Sequence, residues 1–299
     1  MQIDVHQHLW PAPFIAALRA RRRPPRLDGW VLHLSGQPPY RIDPSHHDVE
    51  ARAALAAADG DTLVCVGPSA VLGLDRLPSA EADELAAVWL AGALALPAPF
   101  RAFAIPTTPH ALEDALAAGA IGLEVGADLL AAARGLERLV PLLAVLEAAR
   151  RPLFVHPGPP GPDDAPGRPP WWGPVVPYVA QLNAAWWAWA DGGRERFPRL
   201  PVCFAALAGL GPLHGERQRA RGGRAGRVDN LTFVETSTYG TLAVDAVVRV
   251  LGIDVVCRGS DRPYATPGEP RLGSEAALNA ISSTNPGRLL AHVPQEVNA

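Results

Sequence analysis

The chain has 299 residues, with 27 Lys and Arg against 30 Asp and Glu, a formal net charge of −3 and a hydrophobic share of 48%. That length buries a sizeable core, and the near-balanced charge removes the electrostatic reason to expect nucleic acid or an anionic membrane, leaving a small molecule as the expected partner. Every cationic residue that carries a fixed charge is arginine, because the sequence contains no lysine.

From the N-terminus, MQIDVHQHLW places Asp4 and two histidines where a signal peptide needs a basic region and a long apolar stretch, so the expected location is cytoplasmic. The most apolar run, residues 85–100, holds two prolines and is short for a membrane span. It reads as a helix followed by a turn.

Eight short, largely apolar runs alternate with Ala/Leu-rich segments along the chain. The predicted strands are 2–9, 61–67, 100–106, 120–126, 151–157, 200–207, 230–237 and 254–260. Between them, 46–59, 79–94, 109–119, 135–151, 178–193 and 241–252 carry helical spacing, several opening at Ser, Pro or Asp and closing at Gly. Eight strands separated by helices predict an α/β fold, a (β/α)8 TIM barrel filling residues 1–299 as one domain. The rival, a doubly wound open sheet, usually has a Gly-rich turn after its first strand, and here HLWPAP stands there.

Two connections exceed simple turns. One runs from Trp10 to His47, with a hairpin-like stretch over 29–43; the other, residues 157–177, follows the fifth strand. In a barrel both leave the C-terminal rim, where active sites lie, and Trp171 and Trp172 suit a lid over the substrate. Cys65, Cys203 and Cys257 lie in separate apolar runs and read as buried thiols.

Side chains alternate across a strand, so His6 and His8 share one face while Ile3, Val5 and Leu9 share the other. Two imidazoles on one face also describe a hydrogen-bonded pair, but His156 closes the fifth strand and Asp261 lies just beyond the eighth. Four ligand-type residues at the ends of three strands point to a divalent metal, zinc being the usual match, with an open position for water.

These residues carry a resemblance. IDVHQHLWP, LFVHPGPPG, GSDRPY and the closing NPGRLL are similar, in order and spacing, to the amidohydrolase superfamily and in particular to its amidohydrolase-2 branch, which includes aminocarboxymuconate-semialdehyde decarboxylase. The resemblance implies the barrel, with His6, His8, His156 and Asp261 as ligands of one zinc, manganese, iron or cobalt ion, and often a homodimer. It also implies that a second metal bridged by a carboxylated lysine cannot form here, for want of lysine. Glu124, in the fourth strand, binds or orients a metal on one reading and is a hydrogen-bonded barrel carboxylate on the other.

One departure concerns strand six. A stretch like FAHGGG..P....R in the branch is FAALAGLGPLHGER here, so Ala206 takes the place of a histidine that acts there as acid/base, while Pro212 and Arg217 keep their matches. His214 is the nearby replacement candidate, and Asp261 is a second group able to accept a proton. Arg41 and Arg217 join the two tryptophans as candidate substrate contacts; His33, His46 and His47 read as loop residues, and Trp186, Trp187 and Trp189 as packing. Ser260 lies outside any GxSxG elbow.

The expected activity is metal-dependent hydrolysis of an amide, lactone or ester in a small organic molecule. The alternatives are decarboxylation of a small unsaturated or aromatic acid on the same metal, and a degenerate barrel that only binds ligand.

Overall fold

The computed structural model describes residues 2–105, 108–161, 167–223, 229–266, 268 and 270–293. Pro106, at the end of the third predicted strand, and residues 162–166 of the second long connection lie outside the described residues.

All eight predicted strands form. We number them β1 (Gln2–His8), β2 (Asp61–Gly67), β3 (Phe100–Ala102), β4 (Leu123–Gly126), β5 (Leu153–His156), β6 (Val202–Phe204), β7 (Thr232–Glu235) and β8 (Val256–Cys257). Parallel ladders run β1–β2–β3 and β4–β5–β6–β7–β8. Two parallel bridges join these arcs, Ala104 with Leu123 and Gln7 with Arg262, and they close the barrel. Closure leaves no free strand edge, which is why such short apolar strands are stable here.

The outer helices follow the predicted periodicity, and their ends follow local chemistry. Ser79–Leu94 and Gly135–Ala149 form as expected. The helix expected from residue 46 begins at Val49, because the Asp48 side chain accepts from Ala51 N and sets the cap there; His46 and His47 belong to a preceding 3-10 turn. Thr108 likewise caps Pro109–Ala117. Trp189 is buried, with its Nε1 donating to Thr232 Oγ1, and Trp186 packs on Phe204, as a packing role requires.

The connection after β1 holds more structure than the sequence suggested. Helix Ala12–Ala20 opens at Pro11 and Pro13, where proline is tolerated because first-turn N–H groups have no helical partner. Arg26–Asp28, Val31–His33 and Tyr40–Arg41 then pair antiparallel, with Gly29 at φ +59° in the turn between the first two. The two long connections meet where Gln37 Nε2 donates to Gly161 O at 3.2 Å.

Outward-facing Ile3, Val5, Leu153 and Val155 join the core beneath the helices. Inside the barrel, Phe154 stacks on Phe103 and lies 4.9 Å from His6 between ring centres, an apolar floor under the polar residues above it. The three cysteines are buried and unpaired. Among the described residues, no helix is long and apolar enough to cross a membrane.

Candidate metal centre

His6, His8, His156 and Asp261 come together at the C-terminal mouth of the barrel, each offering one ligand atom, all within 4.8 Å of one another. Strand alternation delivers the first two, as expected, and β5 delivers His156 at its last residue. Asp261 follows β8 in a left-handed conformation, φ +56°, held by its own N–H donating to His6 O at 2.9 Å. The three histidines are buried, whereas the Asp261 side chain is 23% exposed and marks the opening to solvent.

Buried polar groups behind β1 fix its end. Asp4 accepts from His6 N and Ser260 N, tying β1 to the segment after β8. Arg52, from helix Val49–Ala58, donates to His8 O at 2.9 Å, to His46 O and to Gln7 Oε1.

The hydrogen bonds decide which ring nitrogens face the centre. His6 Nδ1 lies 3.1 Å from Glu235 Oε1, His8 Nδ1 3.1 Å from Gly67 O, and His156 Nδ1 2.8 Å from Pro157 O. A carbonyl only accepts, and Glu235 already accepts from Ser237 N and Ala206 N, so each Nδ1 carries the proton. In the neutral imidazoles the Nε2 lone pairs are then left facing inward. His6 Nε2 and His8 Nε2 are 3.1 Å apart, and Asp261 Oδ1 is 3.1 Å from His8 Nε2 and 3.5 Å from His6 Nε2. Electron-rich atoms this close repel unless a cation or a proton sits among them. The donor set, three imidazoles and one carboxylate with fixed outer partners, fits a divalent transition metal.

Burial pulls the His6 pKa down, but the Asp261 and Glu235 carboxylates outweigh it and hold it at about 9. Burial likewise raises Asp261, and the neighbouring His6 and His8 overcome it, holding the carboxyl at about 2. His156 stays well below the usual range, through burial and then through the His8 and His6 charges.

Tyrosines stand at the mouth. The Tyr264 ring lies 5.5 Å from the His8 ring, and burial followed by Tyr40 and Asp261 pushes its hydroxyl up. Tyr178 is raised by burial and then by Asp261. Both phenols therefore remain hydrogen-bond donors at neutral pH.

Glu124 is buried beside the cluster but outside the four-residue group. Its Oε2 occupies the space over Gly67, where an added Cβ would fall 1.6 Å away, and its Oε1 has no hydrogen-bond partner among the described residues. Burial pushes its pKa up, while His8 and His6 pull it down. A cavity of about 20 Å³, lined by Ser69, Leu74, Asp75 and Ile105 among others, adjoins it.

The other expected site residues are not among these four. His214, Arg217 and Arg41 are exposed; Trp171 is more than half exposed, and Trp172 packs under the Arg168 guanidinium at 4.2 Å. His47 is buried rather than solvated, stacked on Trp10 at 4.5 Å. The sequence reading passed over Glu235 and Asp4, although a carboxylate inside an apolar strand, as in TFVE, is itself a signal of a buried polar task.

At Ala206 the backbone changes hand. Ala206, Leu207, Ala208, Gly209 and Leu210 all have φ between +45° and +60°. Each non-glycine residue there costs roughly 1–2 kcal/mol. The turn is held by Ala206 N–H donating to Glu235 Oε1 at 2.6 Å and by close approach to helix Pro177–Ala188, where a Cβ on Gly209 would lie 2.4 Å from Val179 O. The strand-six position thus presents backbone, not an imidazole.

No family model and no curated protein matches the sequence. Solved structures do match in fold. The IDCase of Metarhizium anisopliae in its apo form aligns with a TM-score of 0.74 at 17% identity, over 98% of this chain and 97% of that one. The 5-carboxyvanillate decarboxylase of Sphingomonas paucimobilis gives 0.73 at 16%, over 97% and 98%. A dihydroxybenzoic acid decarboxylase from Polaromonas, with bound manganese and the inhibitor 2-nitroresorcinol, gives 0.68 at 18%, over 99% and 98%. Over nearly its whole length, this chain has the barrel fold of these decarboxylases.

Proposed function

We propose that the protein is a metal-dependent enzyme of the amidohydrolase-2 kind that decarboxylates a small aromatic or unsaturated acid. The observation that carries this reading is the cluster of His6, His8, His156 and Asp261 at the mouth of a barrel whose full-length structural matches include several aromatic-acid decarboxylases. It reverses the order expected from sequence, which placed hydrolysis first.

A divalent ion held by these four residues would supply a Lewis acid that binds an acidic substrate and stabilises negative charge as carbon dioxide leaves. The chain's own residues do the rest. Phe103 and Phe154 close the barrel below the site, and Tyr178 and Tyr264 offer hydroxyl donors near Asp261. Breaking the bond to the carboxylate leaves an electron pair on carbon, which must take a proton. With Ala206 in place of histidine, Glu124, buried beside the cluster with its pKa pushed up, is the carboxyl group able to carry it, whereas Asp261, held at about 2, can only accept one.

Ala206 also supports a second reading, hydrolysis of an amide, lactone or ester, in which Asp261 takes a proton from the attacking water. The same fold serves a 4-oxalomesaconate hydratase from Rhodopseudomonas palustris. Purified protein loaded with manganese or zinc, assayed for carbon dioxide release on hydroxybenzoates and unsaturated acids and for cleavage of lactones, esters and amides, separates the readings. Turnover in the first panel, lost in Asp261→Asn, supports decarboxylation. Turnover only in the second replaces it with hydrolysis.

A further inference from the structure

We propose that Glu235 is a positioning residue that serves two elements with one carboxylate: it sets the ring of His6 toward the metal and holds the left-handed strand-six turn at the edge of the site. The inference rests on the metal-centre reading and assigns a task to a residue outside the ligand set.

Glu235 ends β7 with no exposed surface. Its Oε1 accepts from His6 Nδ1 at 3.1 Å, from Ala206 N at 2.6 Å and from Ser237 Oγ at 2.6 Å; its Oε2 accepts from Ser237 N at 2.6 Å. The opposite side is closed too, since a Cβ on Gly259 would fall 2.1 Å from Oε2. A carboxylate this enclosed has one position available, and it transmits that position to whatever it bonds.

Two consequences follow. His6 must keep its proton on Nδ1, so Nε2 is the atom offered to an ion, and the ring plane is set before the ion arrives; outer carboxylates that orient a ligating imidazole also raise its basicity. Ala206 N–H is drawn to the same oxygen, at the first of the five left-handed residues. A chain with histidine at this position would present a side chain there. This one presents a pinned peptide.

The test uses the full-length protein, Mn2+ alone as probe, and the variants Glu235→Gln and Glu235→Ala. Gln keeps the shape and an accepting oxygen but lacks the charge and sets an NH2 against Ser237 N–H. Mn2+ affinity, from competition with a chelator, is expected to fall about tenfold in Gln and about 100-fold in Ala. The visible spectrum of the Co2+-loaded protein is expected to shift in both. Amide exchange at Ala206 to Leu210 is expected to accelerate in Ala with and without metal. A purely structural role predicts a lower unfolding midpoint of the metal-free Gln variant with unchanged Mn2+ affinity and Co2+ spectrum, and that outcome overturns the proposal. Should the parent itself take up neither Mn2+ nor Co2+, the metal-centre reading fails and takes this inference with it; a parent that binds while Gln and Ala bind equally well defeats this inference alone.

Discussion

The Nε2 atoms of His6 and His8 lie 3.1 Å apart, each on a ring whose Nδ1 proton is already committed to a fixed acceptor. Neither neutral ring can donate to the other, so the pair is stable only around something positive. The fold has arranged a repulsion that a cation relieves.

Metal content follows directly. Protein purified without added metal, or reconstituted and desalted, is expected to hold about one divalent transition-metal ion per chain by mass spectrometry, and His6→Ala, His8→Ala and Asp261→Ala are each expected to lose it. With free ion at 100 times its dissociation constant, binding adds about 2.7 kcal/mol to the folded state. Removing the ion should therefore lower the unfolding midpoint by about 5 °C. An unaltered midpoint together with an unloaded parent would contradict the assignment.

Gly67 and Glu124 form a tighter pair than their chemistry suggests. An alanine Cβ at Gly67 would meet Glu124 Oε2 at 1.6 Å, and the Gly67 carbonyl also accepts the His8 Nδ1 proton. Gly67→Ala is expected to destabilise the protein by about 1–3 kcal/mol through overpacking. Adding Glu124→Ala should recover part of that loss, a coupling of about 1 kcal/mol measurable by urea denaturation of the two single variants and the double. Strict additivity would show that Glu124 does not occupy the space over Gly67.

Much of the barrel was legible because its signals are local. Each strand is a short, largely apolar run bounded by turn residues, and the period of two that puts His6 beside His8 is a property of any strand. His156 and Asp261 were legible as polar residues ending apolar runs. Glu235 was not, since its bond to His6 spans 229 positions and no spacing rule reaches that far. The left-handed run from Ala206 to Leu210 was hidden for a different reason: alanine and leucine have no preference for that conformation, so Glu235 and the helix carrying Val179 impose it. Reaction class was obscured because one set of ligands serves both hydrolysis and decarboxylation. Whole-chain fold similarity, not any residue, shifted the balance.

The imposed turn is itself testable. Ala208 is buried at φ +54°, a region glycine enters without steric cost. Ala208→Gly is expected to stabilise the protein by about 0.5–1 kcal/mol, the relief of the left-handed penalty less the added freedom of the unfolded chain. A denaturation midpoint that falls instead would mean that the Ala208 methyl contributes more in packing than the backbone costs.

His47 gives the clearest pH dependence away from the ligand cluster. It is stacked on Trp10 at 4.5 Å with nearly parallel planes, its Nδ1 accepts from Trp10 N at 3.0 Å, and its Nε2 has no hydrogen-bond partner among the described residues. Burial, followed by the charge of Arg52, pushes its pKa down to about 3. Below about pH 6.5 the unfolded chain binds a proton at this residue that the folded chain does not, so stability rises with pH across that window. His47 therefore contributes stability that is fully present above pH 6.5 and is lost as pH falls toward 3, a change of a few kcal/mol at most. His47→Asn places an oxygen near the Nδ1 position and cannot titrate. Measured by denaturation between pH 7 and pH 4.5, the parent should lose stability faster than the variant, with the two curves converging as acid removes the parent's advantage. Parallel curves would show that His47 takes up its proton as readily in the folded chain as in the unfolded one.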